Sequence, residues 1–186
     1  MKVSIKVGLS LAAVWIAAKL FIYLSGYSIE WYNISALINN FLLLSAVAIG
    51  LYLTKKQAGF EKVTFLEDVK SAIAGGVIYT VIVASFSWYY LSSVDSSYLD
   101  YKIEERMVLV EEELSDDKNL TLFKEQNPDA ELKSREQIVE EIRQTTVGIL
   151  NPKVQFVFLL MGFLLLSVIY ALFVTLLFRK ILFRGM

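Results

Sequence analysis

Four long apolar stretches dominate this chain, at about Ile5 to Leu24, Ile34 to Leu53, Ser71 to Leu91 and Val154 to Leu177. A helix needs about 20 predominantly apolar residues to cross the hydrocarbon core of a bilayer, and each stretch has that length. Lipid offers the backbone no hydrogen bonds, so a spanning segment must satisfy its own amides, as an α-helix does. The expected fold is therefore all-α, an integral membrane four-helix protein. A hydrophobic content of 56% in 186 residues and a mean hydropathy of +0.54 agree, both lying above the values of ordinary water-soluble domains. A cleaved leader is the competing reading of the first stretch, since Lys2 and Lys6 precede it and Ala17 and Ala18 are small. The continuing apolar run Leu20 to Leu24 after Lys19 favours a retained span.

Lysine and arginine near span ends are retained on the cytoplasmic side. Lys2 and Lys6 precede the first span, Lys55, Lys56, Lys62 and Lys70 lie between the second and third, and Arg179, Lys180 and Arg184 follow the fourth. The first connection carries only Glu30, and Ser92 to Lys153 holds 15 acidic against 8 basic residues. Both termini are thus expected inside and the long acidic segment outside. Tyr23, Tyr27, Trp31 and Tyr32, with Trp88, Tyr89 and Tyr90, gather at the outer ends of the spans, where amphipathic rings serve as interfacial anchors.

This gives one membrane domain in three parts: residues 1–91 with spans one to three and an inner interfacial helix, residues 92–153 as an outer acidic helical segment, and residues 154–186 with span four and a basic tail. The interfacial helix is expected because Phe60, Val63, Leu66 and Val69 recur every three residues beside lysines that face anionic headgroups. Glu67 and Asp68 are placed to cap the third span or to face a partner. In the outer segment Leu99, Ile103, Met107, Val110 and Leu114 form a helical stripe, Ser115 to Asn119 interrupts it, and a second helix from about Ala130 to Leu150 carries Ile138 and Ile142. These residues are the candidate partner contacts of an extracytoplasmic hairpin: the two stripes bury each other, or each meets another subunit. Asn151-Pro152 suits a helix start, with Asn as the cap and Pro in the first turn.

The chain has no cysteine and no histidine, which removes thiol and imidazole chemistry, disulfides and the usual metal ligands. The acidic run Glu111, Glu112, Glu113, Asp116 and Asp117 lacks the spaced ligands and glycine of a calcium loop. No nucleophile motif, phosphate loop or dinucleotide fingerprint occurs. Neither enzymatic activity nor a cofactor nor a metal is expected, and a net charge of -1 gives no basic footprint for nucleic acid. Within the apolar stretches Lys19 is the one ionisable group, expected to snorkel to the interface or to pair with Asn39 or Asn40 on the next helix. Ser71, Ala72, Gly75 and Gly76 offer the small surfaces of close helix packing.

The order of two short-looped spans, the segment FLEDVKSAIAGG entering a third, a charged helical segment, an NP step and a last span ending in RK resembles a bacterial membrane family, the domain of unknown function 4199. That resemblance runs over nearly the whole chain. It implies a bacterial cytoplasmic membrane and brings no catalytic residues with it. The residues themselves point first to an accessory or interaction subunit using its outer hairpin with a protein partner or a second copy. A transporter or channel component around Lys19, Asn39 and Asn40 comes next, and a lipid-binding protein third, to be recognised by a lateral cleft with convergent polar groups.

Overall fold

A computed structural model describes residues 2–61 and 63–182, so Lys62 and Arg184 of the basic inventory lie outside the described residues. Those described residues form seven α-helices and no strand: α1 Val3–Leu24, α2 Tyr32–Gln57, α3 Phe65–Tyr89, α4 Ser97–Glu113, α5 Asp117–Gln126, α6 Arg135–Ile149 and α7 Pro152–Ile181. A π-helical turn, Tyr90–Val94, prolongs α3. Four helices are long and apolar enough to cross a membrane: α1, α2, α3 with its π turn, and α7. The chain is membrane-embedded.

Each of the four runs past its apolar window where local chemistry allows. Lys55 and Lys56 sit in the last turn of α2, and Arg179 and Lys180 in that of α7, where cations complement the helix dipole. At the start of α3 the Glu67 amide donates to the Thr64 hydroxyl and the Thr64 amide donates to the Glu67 carboxylate at 2.8 Å. This capping box satisfies amides that have no partner within the helix. Asn151 caps α7 by accepting from the Lys153 amide at 2.9 Å, with Pro152 in the first turn.

The central element is α3, which packs against α1, α2 and α7, while α2 also meets α7. The small residues explain how backbones come so close. A methyl at Gly8 would run into the Gly75 carbonyl oxygen, one at Gly75 would lie 2.8 Å from that of Ala46, and one at Gly76 would meet Val47 and Ser167. Gly75, Gly76 and Ala72 are buried, with Ser71 at the margin of the seam. Two apolar clusters fill the bundle: Ala12, Trp15, Leu43, Ala46, Tyr79 and Val83 toward the end bearing α4–α6, and Val47, Leu51, Val69, Ala72, Ala171 and Val174 toward the opposite end. We call these the cap end and the basic end.

Two expectations fail here. Among the described residues no interfacial helix lies between α2 and α3: the chain turns at Gly59 and Phe60, with φ of 62° and 59°, and enters α3 at Phe65. Two successive left-handed residues end a helix, so Phe60, Val63, Leu66 and Val69 share no stripe. The cap is also built of three helices, not two. Asp116 accepts from the Lys118 amide and starts α5, whose Leu120 and Phe123 reach the cap's apolar cluster, and α6 begins only after Ser134 and Gln137 form a second capping box.

The cap stripes bury each other. Met107, Val110, Leu114, Ala130 and Ile138 form a core joined by Ile103 and Ile142, whereas Leu99 packs with Tyr90 and Leu91 against the end of α3. The expected partner-contact face is therefore spent inside the cap, because each stripe finds its apolar counterpart within the same segment.

Candidate functional site

The helices do not close evenly. All the buried residues of α7, namely Ser167, Ala171, Val174 and Thr175, lie in its half nearer the basic end. Tyr170, whose hydroxyl donates to the Asn40 side-chain oxygen at 2.8 Å, clasps α7 to α2 near mid-height. Above that clasp, toward the cap, a cavity of about 160 Å³ remains between the four helices. Trp15 and Lys19 of α1, Ser35, Ala36 and Asn39 of α2, and Phe156, Leu159 and Phe163 of α7 line it, and Tyr32, Ser87, Trp88, Tyr90, Leu91 and Gln155 complete its cap end. Ala36 is exposed, which places one edge of the cavity at the lipid-facing surface between α2 and α7.

Lys19 is the buried cation of this site, with only 5% of its surface exposed. Among the described residues its amine makes no hydrogen bond to Asn39 or Asn40, the asparagines the sequence offers as partners. Its amine stands 4.8 Å from the Tyr32 ring centre and 4.9 Å from that of Tyr90. Asn39 is occupied elsewhere, its side-chain oxygen accepting from the Tyr79 hydroxyl at 2.6 Å. Among the described residues no carboxylate lies within 4 Å of the Lys19 amine. Desolvating an ammonium costs several kcal/mol, while a ring face returns about 2 kcal/mol when dry. Two rings therefore leave the amine short of the hydrogen-bond acceptors it lost.

The surrounding polar groups are arranged by the π turn, a local widening of the helix that re-aims side chains. It brings the Tyr90 hydroxyl to donate to Asp95 at 2.7 Å and to sit 3.3 Å from the Ser28 hydroxyl. Asp95 also accepts from the Ser97 amide at 3.1 Å and from the Ser97 hydroxyl. Burial pushes the Asp95 carboxyl up, but the hydrogen bonds from Ser28, Ser97 and Tyr90 outweigh it and hold the group below the ordinary carboxylate range. Asp95 is the carboxylate within electrostatic reach of Lys19, and its oxygens are already engaged. The Tyr32 ring is stacked on Tyr98 of α4 with centroids 3.3 Å apart, which ties the cap to the cavity roof.

A second charged cluster stands at the basic end. Asp68, 2% exposed, is gripped by Lys55 at 2.9 Å and by the Arg179 guanidinium at 3.1 Å. Lys55 also donates to the Glu61 carbonyl at 3.0 Å, and Arg179 to that of Val63. The cluster pins α2, α3, α7 and the intervening turn together. Of the two acidic residues at the head of α3, Glu67 caps the helix and Asp68 turns inward. The pairing joins positions 55, 68 and 179, so no local spacing announces it.

Of the polar candidates from the sequence, Lys19 and Asn39 meet in the cavity wall, whereas Asn40 joins the clasp outside it. Tyr32, Tyr90, Ser35, Ser87 and Gln155 join the site without any sequence pattern that marks them as site residues. The aromatic belt did signal Tyr32 and Tyr90, but as anchors. A family model described as a protein of unknown function (DUF4199) matches residues 6–180. No curated protein and no solved structure matches the chain.

Proposed function

The chain belongs to the DUF4199 family, and from that footing we propose that it binds an amphiphilic small molecule or lipid in the cap-end cavity of its four-helix bundle. The observation that carries this reading is the cavity itself: apolar walls from Trp15, Phe156, Leu159 and Phe163, a few convergent polar groups, and an edge at exposed Ala36. Concave sites with mostly apolar lining and few polar groups are the usual form of small-molecule sites. The part of the ligand enclosed is small, because a cavity near 150 Å³ accommodates a benzene-sized body. The remainder of an apolar chain lies against lipid. Binding without catalysis suits a site with no histidine, cysteine or carboxylate in its wall.

In this proposal the protein sits in a bacterial cytoplasmic membrane with the cap outside. Support comes from the placement of Lys2, Lys6, Lys55, Lys56, Lys70, Arg179 and Lys180, all on helix ends at the basic end. The cavity then opens within the outer leaflet. An accessory role through the cap stripe loses the face it rested on, since those residues form the cap's own core.

Trp15 and Trp88 line the cavity and provide the test. Bromine quenches tryptophan fluorescence on close approach, so brominated long-chain amphiphiles report occupancy in a Trp31→Phe background. Saturable quenching is expected, and Ala36→Phe, which fills the edge, is expected to abolish its saturable part. Quenching that rises only in proportion to the amphiphile in the micelle, unchanged by Ala36→Phe, would mean the tryptophans see bulk lipid and not a site.

A further inference from the structure

Resting on that reading, we propose that the ligand is a monoanionic amphiphile of the long-chain carboxylate class, with Lys19 as the anchor of its charged head. Among the described residues, the wall of the cavity contains one cation and no acidic residue. Lys19 is almost wholly buried, yet it makes no ion pair and no hydrogen bond within the described chain, only the two ring contacts. A buried ammonium with three donors and no acceptor calls for an anion, and charge-assisted hydrogen bonds to a carboxylate are the strong ones. Asp95 does not fill that role in this structure, because its carboxylate lies more than 4 Å from the Lys19 amine.

The hydroxyls of Ser35 and Ser87, in the same wall, also make no hydrogen bond within the described chain. They are the neutral donors a second carboxylate oxygen would take. A single positive charge matches a single negative one. A dianionic phosphate would leave a charge uncompensated in a site that offers no arginine. The tail follows from the walls: Phe156, Leu159 and Phe163 lead from the polar end along α7, a helix whose cap-end half has no buried residue. A head at Lys19 thus projects its chain toward the lipid between α2 and α7.

The experiment is displacement of a brominated amphiphile from purified protein in a neutral detergent, with dodecanoate, dodecanol, dodecyltrimethylammonium and acetate as competitors. Dodecanoate is expected to displace the probe at about tenfold lower concentration than dodecanol, one charge-assisted contact amounting to about that factor. Acetate and the cationic amphiphile are expected to fail. Lys19→Met should erase the advantage of carboxylate over alcohol, and Lys19→Arg should retain it. Equal displacement by dodecanoate and dodecanol on the native chain overturns the anionic assignment but leaves amphiphile binding intact, and this arm needs no folded variant. Displacement by acetate at the same concentration as dodecanoate overturns the requirement for a chain. If neither long-chain compound displaces the probe, the binding reading itself falls.

Discussion

Asp68 shows how far one side chain governs this bundle. Its carboxylate is nearly inaccessible and lies between Lys55 and Arg179, on the ends of α2 and α7. Removing one member of a buried pair costs more than the pair contributes, because the remaining charge stays desolvated. Asp68→Ala is expected to lose about 3 kcal/mol, toward the low side of the usual range because Arg179 can turn to solvent. A thermal melt in detergent reads the loss, and the double variant Lys55→Met with Asp68→Leu should recover most of it. Recovery failing in a well-folded double variant would mean the cluster acts through more than its charges. Asp95 gives a second residue-level expectation. Its folded pKa is depressed by the hydrogen bonds it accepts, so the stability it adds is present above the unfolded value of about 3.9 and is lost as pH falls through the lower folded value. Acidification below about pH 4 should therefore perturb the emission of Trp88, which lines the cavity together with the Asp95 partner Tyr90, and Asp95→Asn should remove that pH dependence.

Among elements, the α1–α3 seam is the least forgiving. A methyl at Gly8 meets a backbone oxygen of Gly75, and backbone has no rotamer to yield. Gly8→Ala should cost about 1–3 kcal/mol, the range for overpacking, and it should broaden near-UV dichroism as the helices part. Gly148, in α6, has open space where its side chain would be, so Gly148→Ala should stabilise the cap by roughly 0.5–1 kcal/mol through helix propensity alone. Opposite signs at two helical glycines would separate packing from propensity; equal signs would refute the seam. The seam was legible in the sequence as small residues at Ser71, Ala72, Gly75 and Gly76, but their partners Gly8, Ala46 and Ser167 were not, since contact between spans leaves no local period. The Asn151-Pro152 start of α7 was legible for the opposite reason: a cap is written within four residues. α5 is not legible in the sequence because Ser115 to Asn119 reads as a breaker, although Asp116 in that stretch is itself the cap. Lys19 was visible as an intramembrane charge, whereas its ring partners come from residues 32 and 90, brought over it by two turns of the chain.

For the molecule as a whole, the two ends differ in chemistry as well as in shape. The basic end concentrates lysine and arginine on four helix termini, and the cap end bears the acidic helices α4–α6 above an incompletely closed bundle. In the orientation proposed from the retention of positive charge, the cap lies outside and the cavity mouth stands in the outer leaflet. A ligand would then reach Lys19 from the outer face or laterally from lipid, without crossing the membrane. The native chain has no cysteine, so a single introduced thiol reports its own side without background. Ser115 and Gln57 are exposed at opposite ends. In intact cells a membrane-impermeant maleimide should label Ser115→Cys and spare Gln57→Cys, and permeabilisation should expose both. The reverse pattern would turn the protein over, moving the cavity to the inner leaflet and its ligand supply to the cytoplasmic side.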